Sequence, residues 1–154
     1  MKKDRFLYGA LFGILADIPK EIVDFAIYLS GWSKFYCWMI PGGIVLSPKW
    51  IGSIHGIIIG GLNDFIIAGA LGVGLTYFLT LMEKRYLFIK GMAYSLGIWL
   101  FFCMMIVTRV SYWTRMKDPF FYYQNFLVHQ IWGLVATWLI VKYLFKTETK
   151  TDRF

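Results

Sequence analysis

The chain has 154 residues, of which 58% are hydrophobic, 20% aromatic and only 16% charged, and its mean hydropathy is +0.58. A soluble domain carries about 25% charged residues, so this composition excludes an ordinary water-soluble globule and places the chain in the membrane class. The net charge of +7 does not indicate nucleic acid, because the basic residues sit at helix ends and in short loops and form no stripe with exposed aromatics.

The length suits one integral membrane domain over 1–154, with about four crossings at roughly 20 apolar residues each. The opening MKKDR and its apolar run resemble a signal peptide, but the run lacks a small-residue cleavage site and meets charges soon after. It is read as a retained first helix over 5–30, with no lipidation motif. The stretch WSKFYCWMIPGGIVLSPKW follows. Its apolar core, 35–46, is too short to cross and is broken by Pro41-Gly42-Gly43, which predicts a re-entrant or interfacial segment. Trp32, Trp38 and Trp50 are expected at headgroup level. A second, glycine-rich helix is predicted over 51–82 and a third over 86–108. Pro119 marks the start of the fourth, 120–145, and 146–154 form a polar cytoplasmic tail. The expected fold is therefore all-α, a four-helix transmembrane bundle with a re-entrant or interfacial segment between its first two helices.

With the N-terminus inside, the inner segments hold ten basic residues (Lys2, Lys3, Arg5, Lys84, Arg85, Lys90, Lys142, Lys146, Lys150, Arg153). The outer ones hold five (Lys34, Lys49, Arg109, Arg115, Lys117). This predicts a multi-pass protein of the cytoplasmic membrane with both termini in the cytoplasm. Cys37 and Cys103 define no metal-ligand spacing, and Met104 and Met105 read as packing.

The first helix carries LADIPKEIVDF at 15–25, four charged residues and a proline in mid-span. On a helical wheel with Asp17 at zero, Glu21 falls near +40°, Asp24 near −20°, Lys20 near −60°, Gly13 near −40° and Gly9 near −80°. The charges share one face and continue a glycine ridge, so that face is expected to meet another helix. In the second helix Asp64 continues the Gly56–Gly60 ridge in the same way. The shared Gly-x3-Gly-x3-Asp pattern is either a duplicated helix or the common small-x3-small spacing of membrane helices, and the second is favoured. The two ridges are expected to let the helices approach and join their acidic ends.

Helix depth places Asp17 and Asp64 in a middle layer, with Glu21, Asp24 and His129 on its outer side. Asn63, Asn125 and Gln130 are supporting polar residues. Lys20 is within reach of Asp17 and Asp24, and Pro19 frees the Leu15 carbonyl as a candidate ligand. Each intramembrane hydrogen bond returns about 0.6 kcal/mol, whereas a mid-membrane charge costs about 2.5–3.5 kcal/mol to insert. Packing alone is a poor return on several charges, so the arithmetic favours a proton or cation site or a hydrated cavity. Asp17, Glu21, Asp64 and His129 are acceptable metal ligands, but no Glu-x-x-His or His-x3-His spacing supports a metal, and that question stays open.

The segments YLFIKGMAYSLGIWLFF and QNFLVHQIWGLVATWLI, placed after a glycine-rich helix, resemble a family of small, uncharacterised four-helix integral membrane proteins of Gram-positive bacteria. The resemblance rests on the Lys90-Gly91 step and on Asn125, His129 and Gly133, with one residue more before the glycine than the family pattern has. It implies a bacterial cytoplasmic-membrane protein and supplies no activity.

The functional expectation is a proton- or cation-linked channel or small transporter. Its site is Asp17, Lys20, Glu21, Asp24 and Asp64, with His129 as proton partner. Membrane lipid is an expected partner, a homo-oligomer is expected, and no cofactor is required. One alternative is a structural or accessory membrane subunit whose polar cluster only fixes helix packing. A third is an intramembrane enzyme acting on lipid, for which the sequence shows no nucleophile–base motif.

Overall fold

The computed structural model describes residues 4–102 and 119–145. Cys103, Met104, Met105, the end of the third expected helix, the basic linker before Pro119 and the polar tail lie outside the described residues. Among those described, every regular element is helical. Two helices, Ile54–Leu81 and Pro119–Phe145, are long and apolar enough to cross a membrane.

Helix α1 spans Arg5–Leu29. It opens on Asp4, whose carboxylate accepts from the Phe6 and Leu7 amides at 2.9 and 3.1 Å, satisfying two of the amides that a helix start leaves orphaned. It ends at Ser30 and Gly31, where φ of +77° reverses the chain in a conformation glycine adopts freely. Pro19 lies inside it without ending it. A short helix α2, Met39–Val45, and a 3-10 turn, Pro48–Trp50, lead to α3, Ile54–Leu81. Helix α4 is described over Leu87–Phe102, and α5 over Pro119–Ile140, closing with a π-type turn, Val141–Phe145.

Small residues decide which helices touch. Helices α1 and α3 run antiparallel, so Gly9 meets Val73 and Thr76, Gly13 meets Ala68 and Gly72, and Lys20 meets Asp64. This corrects the expected pairing of the Gly9–Gly13 ridge with Gly56–Gly60. In both helices the glycines precede the aspartate. When the aspartate ends meet in antiparallel helices, the two glycine pairs must point to opposite ends of the bundle. The residues that face Gly9 and Gly13 are therefore those following Asp64. Gly56 and Gly60 instead receive the returning chain. The Gly60 Cα packs under the Trp38 and Gly42 backbone, and Gly56 lies under Ile51. Trp38 accordingly rests on Gly61 and within 6.2 Å of the Phe65 ring, while Trp32 and Trp50 are exposed.

Helices α4 and α5 close in the same manner. Gly91 faces Thr137 and Gly133 faces Ser95, whose hydroxyl donates to the His129 carbonyl. Gly91 and Gly133 thus let these helices approach. An apolar core of Phe12, Ala16, Leu75, Leu79, Trp132, Ala136 and Ile140 fills the end of the bundle nearest the start of α1. Trp132 also donates its indole N–H to the Gly13 carbonyl at 3.0 Å. Trp132→Phe keeps most of the apolar volume and loses that bond. It should lower stability by about 0.5–1.5 kcal/mol, read as a lower midpoint in thermal unfolding of the detergent-solubilised protein.

Candidate functional site

The inward face of α1 is polar for two turns beyond its glycines. Asp17, Lys20, Glu21 and Asp24 are all buried, while Leu11, Ile14, Leu15, Ile18, Ile22 and Phe25 of the same helix are exposed. The pattern is a charged inside and an apolar outside, the reverse of a soluble helix.

Lys20 is the hub. Its Nζ lies 2.8 Å from Asp17 Oδ1, 2.7 Å from Glu21 Oε1 and 2.5 Å from Asp64 Oδ2. Three carboxylates from two helices surround one ammonium. The expected partner Asp24 is not among them. Its carboxylate accepts from the Cys37 amide at 2.7 Å and from Gln124 Nε2 at 2.6 Å. Having two donors of its own, Asp24 exerts less pull, and Asp64 draws the lysine sideways toward α3. Glu21 therefore belongs with Asp17 and Asp64, and only Asp24 lies in a separate set. Glu21 also accepts from the Tyr36 hydroxyl at 2.7 Å. Burial, and then that bond to the carboxylate, push the Tyr36 phenol well above its ordinary range, so it stays a donor.

The Leu15 carbonyl is not a ligand here. Leu15 lies on the exposed face of α1, about 160° around the helix from Asp17, so the carbonyl that Pro19 frees is on the side of the helix away from the acids.

A cavity of about 70 Å³ adjoins the cluster. By this measure one water needs about 10–15 Å³, so several fit. Asp17, Lys20, Cys37, Asp64, Asn125 and His129 supply its polar lining, and Trp99, Phe102, Phe121 and Trp132 contribute aromatic wall. His129 thus shares a cavity with Asp17 and Asp64. Its Nδ1 lies 2.7 Å from the Asn125 carbonyl. A carbonyl only accepts, so Nδ1 carries the proton and Nε2 is left to accept or bind another. Asn125 donates to the Phe121 carbonyl at 3.1 Å. Asn63 is half-buried and does not line the cavity. Gln130 is buried outside it, with Nε2 unpartnered. One residue's offset from Asp64 or His129 turns each about 100° away.

Donor atoms of Glu21, Cys37 and Asp64 lie within 4.8 Å of one another. A thiol and two carboxylates suit a divalent metal. Here the Lys20 ammonium bonds both carboxylates, so a tethered cation takes the place a metal would fill.

Tyr36, Cys37 and Gln124 are the site residues that sequence reasoning missed. Tyr36 and Cys37 lie in a connector with no periodicity to assign a face. Gln124 carried a signal, as a polar side chain inside the aromatic run FFYYQNF at 120–126. Comparison with protein families, with curated proteins and with solved structures finds no match to the chain.

Proposed function

We propose that this chain is a multi-pass protein of the bacterial cytoplasmic membrane, a four-span bundle with both termini in the cytoplasm, and that it carries protons or small cations through its intramembrane acidic cluster. The observation that carries the reading is Lys20 held by Asp17, Glu21 and Asp64 beside a cavity that His129 also lines. The exposed apolar side of α1 supports lipid on its outside. In this reading α2 is the tip of a re-entrant loop. Together these four side chains carry three formal negative charges against one positive. The surplus calls for a mobile positive charge, and His129 Nε2 is an acceptor for a proton in transit. Such groups are costly inside a membrane and mark ion pathways.

Proteoliposomes carrying a pH-sensitive dye supply the test. The wild-type chain should dissipate an imposed pH gradient, and Asp64→Asn, which keeps shape and removes charge, should reduce the rate about tenfold or more, the scale of one lost charge-assisted bond. Equal rates in the wild type, Asp17→Asn and Asp64→Asn vesicles would sink the proposal.

A second reading is an accessory subunit whose cluster only joins helices. It is favoured by the way Lys20 ties α1 to α3 through Asp64. That reading predicts loss of assembly on the same substitutions, with no flux in the wild type.

A further inference from the structure

Beside aliphatic side chains, the cavity is lined by acids and by aromatic rings, and both of these point to the same kind of guest. Among the polar lining, Asp17 is 1% exposed, and while Oδ1 takes the Lys20 ammonium, Oδ2 is buried without a hydrogen-bond partner. A buried carboxylate oxygen with no donor is an incomplete structure, because leaving it unmade forfeits its solvation. The nearby ammonium does not finish the balance. Asp17, Glu21 and Asp64 against Lys20 leave two formal negative charges. Trp99, Phe102, Phe121 and Trp132 line the same cavity. Aromatic rings present a negative face that attracts cations, and Lys142 over the Trp138 ring at 4.4 Å shows the same attraction elsewhere in this chain. Bare metal ions and protons make no use of four aromatic rings. Neutral apolar guests make no use of the acid.

We propose that the cavity binds a small organic ammonium ion, its N–H donated to Asp17 Oδ2 and its carbon skeleton against the aromatic wall. This rests on reading the cluster as cation-handling, and it names the class of cation. The volume of about 70 Å³ admits the ammonium head and a short chain. It is under half the roughly 150 Å³ of a cavity that accepts benzene, so bulky aromatic cations do not fit. The half-buried Phe102 and exposed Ile44 at the margin give a longer alkyl chain an apolar way out. The unpartnered indole N–H of Trp99 adds a donor for a hydroxyl or water that accompanies the guest.

The test is titration of the purified full chain in detergent with n-butylammonium, n-butanol and potassium, followed by intrinsic tryptophan fluorescence. Saturable change with butylammonium is expected, with no comparable change for butanol and no displacement by potassium at equal concentration. Asp17→Asn should weaken butylammonium binding about tenfold or more, the scale of one charge-assisted hydrogen bond. Trp99→Leu should weaken it as well. Its indole N–H has no partner to lose, so this variant keeps the test decisive if Asp17→Asn fails to fold. An equal response to butanol, displacement by potassium, or unchanged affinity in the folded variants would overturn the proposal. Proton flux without butylammonium binding overturns this inference and leaves the carrier reading standing. Saturable binding without flux does the opposite.

Discussion

Lys20→Met should be the most damaging single substitution in the chain. The lysine side chain is the only cation the described structure places among Asp17, Glu21 and Asp64. Methionine fills a similar volume, so the change isolates the charge. Removing one partner of a buried ionic cluster costs about 3–5 kcal/mol, because the charges left behind are neither solvated nor paired. The expected result is a large fall in the unfolding midpoint in detergent and loss of the monodisperse species on size exclusion. Adding Asp64→Asn to Lys20→Met should recover part of the loss, since it removes one of the stranded acids. The coupling between the two positions is then read from a double-mutant cycle. A Lys20→Met protein as stable as the wild type would show that the carboxylates need no cation and would remove the basis of the carrier reading.

Gly13→Ala and Gly72→Ala form the second large effect. A methyl carbon at Gly13 would lie 2.9 Å from the Gly72 Cα and would collide with the Ala68 carbonyl. One at Gly72 would lie 2.6 Å from the Gly13 Cα. Both obstacles are backbone, so neither can swing aside, and α1 must part from α3. Overpacking of this kind costs about 1–3 kcal/mol. The displacement would also separate Lys20 from Asp64, two turns further along the same contact. Each variant should therefore lose stability and, in vesicles, flux. Gly97→Ala is the control, because a carbon added there meets nothing within 4 Å. It should be neutral or stabilise by up to about 1 kcal/mol through the helix preference of alanine. Equal behaviour of the three variants would show that the close approach of α1 and α3 does not matter.

These two results divide along the line between sequence and structure. The burial of Asp17, Lys20, Glu21 and Asp24 on one side of α1, beside Gly9 and Gly13, was legible because helical periodicity alone sets which residues share a face. Pro41-Gly42-Gly43, expected to break the apolar stretch, instead lies inside α2, because Gly42 lets that short helix pack closely against Gly56 and Gly60 of α3. Chain direction was also available, and applied consistently it would have sent Gly9 and Gly13 to the small residues after Asp64 rather than to Gly56 and Gly60.

What no local rule supplied was the choice among competing partners. Lys20 has Asp24 one turn away, yet it bonds Asp64 across the helix pair, because Asp24 is already served by Cys37 and Gln124. Tyr36 reaches Glu21 only because the returning connector packs onto the glycines of α3. The chain by itself determined that a charged stripe must face inward, since that follows from composition and a period of about 3.6 residues. Only the tertiary structure decided which charges meet, because a side chain several bonds long settles on whichever opposite charge the packed helices bring nearest.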